Sequence, residues 1–113
     1  MASRWQPNLE KALREAGIDV SIAQSVEPAQ KYCDQVAQLI ARAYLERKAS
    51  WLAADAAINH LYPIMLECPS TPEYAWGIYE AFDAAENHPG SPGLSEDDVT
   101  RPILLMHMGS QLA

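Results

Sequence analysis

Apolar residues recur at i, i+3 and i+4 along almost the whole chain, and that spacing leaves the α-helix as its main folding option. The one alternating patch, Asp19-Val20-Ser21-Ile22, is too short to build a sheet. Pro7 or Asn8 opens a first helix with Leu9, Ala12, Leu13 and Ala16 on one face. Gly17 ends it, and Ile18 follows where a hydrophobic contact after the cap is usual. Ser25 is placed to cap a second helix, with Glu27 and Pro28 in its first turn. Its stripe is Val26, Ala29, Cys33, Val36, Ala37, Ile40, Ala43 and Tyr44, widened by Tyr32 and Leu39.

Arg47, Lys48 and Ser50 mark a break, although no Gly or Pro enforces it. Ser50 then caps a third helix with Trp51, Ile58, Leu61, Tyr62, Met65 and Leu66 on one face. Pro63 lies inside this pattern and must kink the helix or end it a turn early. Thr71 as N-cap, Pro72 at the first helical position and Glu73 open a fourth helix that runs to about Asn87. Asn87 to Gly93 is a Pro/Gly loop. Ser95 and Asp98 then resemble a capping box for a short helix interrupted at Pro102, with Ile103 to Met108 as a terminal apolar segment. The expected fold is all-α: a single domain over residues 1–113, an antiparallel bundle of four to five short helices.

Charge divides this chain sharply. Seven of its eight basic residues precede position 49, and no Lys or Arg lies between Lys48 and Arg101. The same stretch carries Asp55, Glu67, Glu73, Glu80, Asp83, Glu86, Glu96, Asp97 and Asp98. A single-sign acidic field repels nucleic acid and membrane phosphates and steers basic partners inward. Apolar runs are far shorter than a membrane span, and Met-Ala-Ser-Arg-Trp-Gln-Pro lacks the apolar core of a secretory signal, so a cytoplasmic protein is expected. Cys33 and Cys68, without zinc-type spacing, read as small buried side chains kept reduced. His60, His88 and His107 are scattered, and there is no Gly-rich phosphate loop or nucleophile elbow. No cofactor, metal site or catalytic set is expected.

Two places carry candidate function. Asp55 falls on the apolar face of its helix, between Trp51, Ile58 and Tyr62. A carboxylate there needs a partner, and the helix dipole, a tyrosine hydroxyl, Arg42 or Arg47 could serve; a catalytic or ligand role is the alternative. On the fourth helix Tyr74, Ala75, Ile78, Ala81, Phe82 and Ala85 form the inner face. Opposite lie Trp76, Glu80 and Asp83, flanked by Tyr79 and Glu86. Aromatics ringed by acids have the composition of an interface anchor, unless Ile103 to Met108 folds over Trp76. Asp97 and Asp98 complement a helix start and extend the same negative patch.

The stretches Trp51-Leu-Ala-Ala-Asp55-Ala-Ala-Ile-Asn59-His-Leu-Tyr-Pro63 and Tyr74-Ala-Trp-Gly-Ile-Tyr-Glu-Ala-Phe-Asp83-Ala-Ala-Glu86 resemble segments of small, acidic, all-helical bacterial proteins. Some of those are similar to immunity proteins that neutralise a partner toxin. The resemblance implies a cytosolic inhibitor without a catalytic site; the acidic half adds the expectation of a basic protein partner, such as a toxin or nuclease. The expected contact residues are Trp76, Tyr79, Glu80, Asp83, Glu86, Asp97 and Asp98, with no direct binding of nucleic acid or membrane. An acidic phage-type inhibitor of a nucleic-acid-binding machine, a ligand-binding or enzymatic bundle centred on Asp55, and a homo-oligomer joined through Ile103–Met108 are the other readings.

Overall fold

In the computed structural model residues 7–19, 28–86 and 95–112 are described. They form five helices in an all-α bundle: α1 (Pro7–Glu15), α2 (Ala29–Leu45), α3 (Trp51–Glu67), α4 (Glu73–Glu86) and α5 (Glu96–Leu112). Ser25, Val26, Glu27, the short alternating patch beyond Asp19 and the Asn87–Gly93 loop lie outside the described residues. The radius of gyration is 13.6 Å, close to the ~13 Å of a folded chain this long.

The local signals explain the helix ends. Gly17 sits at φ +74°, donates its amide to Arg14, and is followed by Ile18 donating to Leu13. This pair of bonds satisfies the last carbonyls of α1, and Gly adopts the left-handed turn without a Cβ penalty. The end of α2 repeats the geometry with Arg47 at φ 63°. Arg47 donates to the Tyr44 carbonyl and Lys48 to that of Ala43. So α2 and α3 are separate helices, and their break is made by a residue that takes this conformation only under strain. At the start of α3 the Ser50 hydroxyl accepts the Ala53 amide at 3.1 Å.

Both internal prolines are carried through. α3 continues past Pro63 to Glu67, and α5 runs unbroken across Pro102, where an interruption was expected. Both rings are exposed. The backbone bond each one removes therefore lies on a solvent-facing side, where water can replace it.

α3 touches α1, α2 and α4, while α4 touches α2, α3 and α5. Leu9 and Leu13 of α1, Val36 and Ile40 of α2, Ile58 and Leu61 of α3, Ile78 and Phe82 of α4 and Leu104 of α5 are fully buried in one core. The α4–α5 contact is close. A Cβ on Gly77 would fall 2.4 Å from the His107 ring, and His107 Nε2 lies 2.9 Å from the Tyr74 carbonyl. Thr100, wholly buried on α5, donates its hydroxyl to the Ala81 carbonyl at 3.0 Å and accepts the Trp51 indole N–H at 2.8 Å. One hydroxyl thus joins three helices.

Candidate functional site

α3 and α4 pack antiparallel, and their shared edge gathers most of the expected contact strip. Tyr62 of α3 stacks on Tyr79 of α4 at 4.6 Å between ring centres, with planes 21° apart. Trp76 completes a trio, 5.7 Å from each of the two tyrosines. All three rings are half-buried. Aromatic rings at these separations hold one another in place, so the trio offers a pre-ordered surface. Tyr62, on the apolar face of α3 by sequence, is half-buried and supplies the α3 ring of this trio. α5 docks on α4 through Gly77, Tyr74 and Ala81.

Two turns before Tyr62 along α3, and two turns after Tyr79 along α4, a second meeting occurs. The Asp55 carboxyl, only 8% exposed, hydrogen-bonds the Glu86 carboxyl and Asn59, with Asp83 close by. This corrects the expectation of a tyrosine or arginine partner. Burial, then the charge of Glu86 and the hydrogen bond to it, push the Asp55 carboxyl up to about 7; Asn59 opposes and Asp83 reinforces the shift. The hydrogen bond to Glu86 and its nearby charge favour the protonated form of Asp55. Asp55 Oδ1 is buried without a hydrogen bond. The Tyr79 hydroxyl is also pushed above its ordinary value, first by burial and then by Asp83, Tyr62, Glu86 and Asp55. Aromatic trio and carboxyl group are thus one continuous edge.

Glu80 is exposed one step around α4, and Glu86 is exposed at its end. Asp97 and Asp98 have other work. Asp97 accepts the Tyr44 hydroxyl and lies 3.4 Å from Arg101 Nη2. The tyrosine bond, helped by Arg101 and resisted by desolvation, holds its carboxyl below the usual range. Arg101 lies over the Tyr44 ring at 4.9 Å and reaches the Leu45 carbonyl. Asp98 closes the expected capping box, accepting the Ser95 amide at 3.0 Å while its own amide donates to the Ser95 hydroxyl at 3.2 Å.

Two of the early cations, Arg42 and Lys48, lie beside the end of α1. Lys48 pairs with Glu46 at 3.2 Å. Arg42, Glu46 and Lys48 line a cavity of about 290 Å³ with Gly17, Ile18 and Leu39, beside the end of α1. A second cavity, about 260 Å³, is lined by Met65, Leu66, Cys68, Thr71, Pro72 and Trp76. Neither is lined by Asp55. Among the described residues no group of three or more His, Cys, Asp or Glu is placed to hold a metal ion, and no helix is long and apolar enough to cross a membrane.

Asp34 supplies a link that the sequence did not signal. Its carboxylate accepts the Ala75 amide at 2.8 Å, so the first turn of α4 is capped from α2. Sequence reasoning gave that duty to Thr71, which is exposed. Burial raises the Asp34 carboxyl and the Ala75 amide opposes the rise, with Glu73 raising and His107 lowering it further. The helical offsets Asp55, Asn59 and Tyr62, at i, i+4 and i+7, and Tyr79, Asp83 and Glu86, at the same offsets, were visible in the sequence. That the two triplets face each other was not.

Comparison with protein-family models, curated proteins and solved structures gives no match to this chain.

Proposed function

We propose that this protein is a non-enzymatic, protein-binding inhibitor of the immunity type, acting in the cytoplasm on a basic protein target such as a nuclease toxin. The observation that carries the reading is the α3–α4 edge: three mutually packed, half-buried rings continuous with Asp55, Asp83 and Glu86, and Glu80 alongside. Ordered aromatics give binding energy at low entropic cost, and carboxylates select a cationic face and speed encounter. Trp76, Tyr79, Glu80, Asp83 and Glu86 are the contact residues, joined by Tyr62. Asp97 and Asp98 contribute field only, since both already serve bonds inside the molecule. An acidic blocker of a nucleic-acid-binding machine would use the same edge and would differ in competing with DNA or RNA for its target.

The test is affinity capture from the native lysate with the wild-type chain and with a Trp76→Ala/Glu80→Lys variant of equal stability. A basic protein retained by the first, lost by the second, and bound with an on-rate that falls about tenfold at high salt supports the reading. Equal capture by both chains overturns the strip assignment.

A second reading rests on the Asp55 carboxyl, held up to about 7 by burial and Glu86. A group that titrates near neutrality is suited to proton transfer, so a ligand-binding or enzymatic bundle would centre there. Asp55→Asn separates the two: it removes any such chemistry and leaves partner capture intact if the strip is the functional surface.

A further inference from the structure

The Sγ atoms of Cys33 on α2 and Cys68 at the end of α3 lie 3.7 Å apart, although 35 residues separate them in sequence. They are the chain's two cysteines, and neither is in a disulfide. Their surroundings differ. Cys33 is fully buried in the core. Cys68 is half-exposed and lines the 260 Å³ cavity formed with Met65, Leu66, Thr71, Pro72 and Trp76. Its thiol donates to the Ile64 carbonyl at 3.4 Å, and its backbone is extended, at φ −69° and ψ 130°, just beyond the last turn of α3.

We propose that Cys68 and Cys33 form a reversible oxidation site for hydroperoxides, Cys68 attacking and Cys33 resolving. The cavity gives a small oxidant access to Cys68, whereas Cys33 has no exposed surface. The Cys68 sulfur, as thiolate, attacks one oxygen of the peroxide and breaks the O–O bond. It becomes the sulfenic acid, and the departing hydroxide takes up the thiol proton as water. The Cys33 sulfur then attacks the Cys68 sulfur and expels the hydroxyl group, which leaves as water with the Cys33 proton. Two thiols and one hydrogen peroxide thus give one disulfide and two waters. The sulfurs must approach by somewhat under 2 Å to reach bonding distance. Cys68 can supply that movement because it caps the end of α3, held there by one 3.3 Å bond from its amide to the Met65 carbonyl, while Cys33 is fixed within α2. The bond closes the open end of the α2–α3 hairpin and draws the Cys68 sulfur away from the Trp76 wall.

The experiment treats the reduced chain with one equivalent of hydrogen peroxide and follows intact mass, thermal midpoint and tryptophan fluorescence. The expected product is a monomer lighter by about two hydrogens, with both thiols lost together and recovered with a dithiol reductant. Its midpoint rises by about 10 °C, as a cross-link across a loop of this length produces in a small domain. Cys33→Ala should stop at oxygen adducts of Cys68, and Cys68→Ala should leave Cys33 unreacted at the same dose. Circular dichroism checks that both variants remain folded. Cross-linked dimers as the main wild-type product, independent oxidation of the two thiols, or equal reactivity of Cys33 in Cys68→Ala would each overturn the assignment. If both variants unfold, the wild-type mass and thiol counts still decide it.

Discussion

Asp55 shows how one side chain acquires a property that its position alone does not give. The helical wheel placed a carboxylate on an apolar face, and burial demands that such a group be neutralised. The solution is a protonated Asp55 carboxyl hydrogen-bonded to Glu86 rather than a cation. In the unfolded chain Asp55 ionises near 3.8, and in the fold near 7. Between about pH 4 and 7 the folded protein therefore keeps a proton that the unfolded chain has released, so stability from this group is full at low pH and declines as pH rises. Above the folded value the loss is complete. Urea titrations at several pH values should show Asp55→Asn without this decline and more stable than wild type at pH 8, by about 1–2 kcal/mol once solvent screening is allowed for. A wild-type profile rising over the same window would disprove the raised Asp55 carboxyl. Arg47 is the other telling residue, since its left-handed backbone at φ 63° carries a penalty that glycine avoids. Arg47→Gly should stabilise the chain by up to about 1 kcal/mol, read as a higher urea midpoint with unchanged slope.

At the scale of elements, α5 depends on two contacts of different kinds. The Thr100 hydroxyl serves Ala81 and Trp51 at once. Thr100→Val keeps the shape and strands the indole N–H, so it should cost about 1–3 kcal/mol, measurable by thermal or denaturant unfolding. Gly77 matters by having no side chain, because His107 occupies the space a Cβ would take. Gly77→Ala should destabilise by about 1–3 kcal/mol. In a double-mutant cycle His107→Ala should remove most of that loss, and a simply additive cycle would show that the clash is not the cause. The caps at Gly17, Ser50 and Ser95 were legible because each is a local device of a few consecutive residues. The paths across Pro63 and Pro102 were not, because a proline's effect depends on which side of the helix faces water. Thr71 was a sound local cap signal, yet Asp34 from another helix takes the Ala75 amide.

For the molecule as a whole, the consequence is a separation of charge. Lys48 and Arg42 lie beside the end of α1, and Arg101 is engaged by Asp97 and Leu45, while the α3–α4 edge carries Asp83 and Glu86 along from its aromatic rings. Exposed surface charges act through the solvent and weaken as the screening length shortens. On the proposed reading, association with a basic partner should therefore slow steeply with salt, while dissociation changes little. Stopped-flow or biosensor kinetics at several ionic strengths measure both, and a salt-insensitive on-rate would remove electrostatic steering from the account.

The sequence by itself determined the all-helical class, most helix ends, the buried stripe of each helix and the acidic field after Lys48. Those features depend on periodicity, short-range hydrogen bonding and composition, all of which are local. Only tertiary structure decided that Asp55 meets Glu86, that Tyr62 packs against both Trp76 and Tyr79, that Asp97 is spent on Tyr44, and that Cys68 reaches Cys33. Each of these joins residues from different helices. Their pairing follows from how the helices are rotated and offset against one another, and that is fixed by the packing of the whole core.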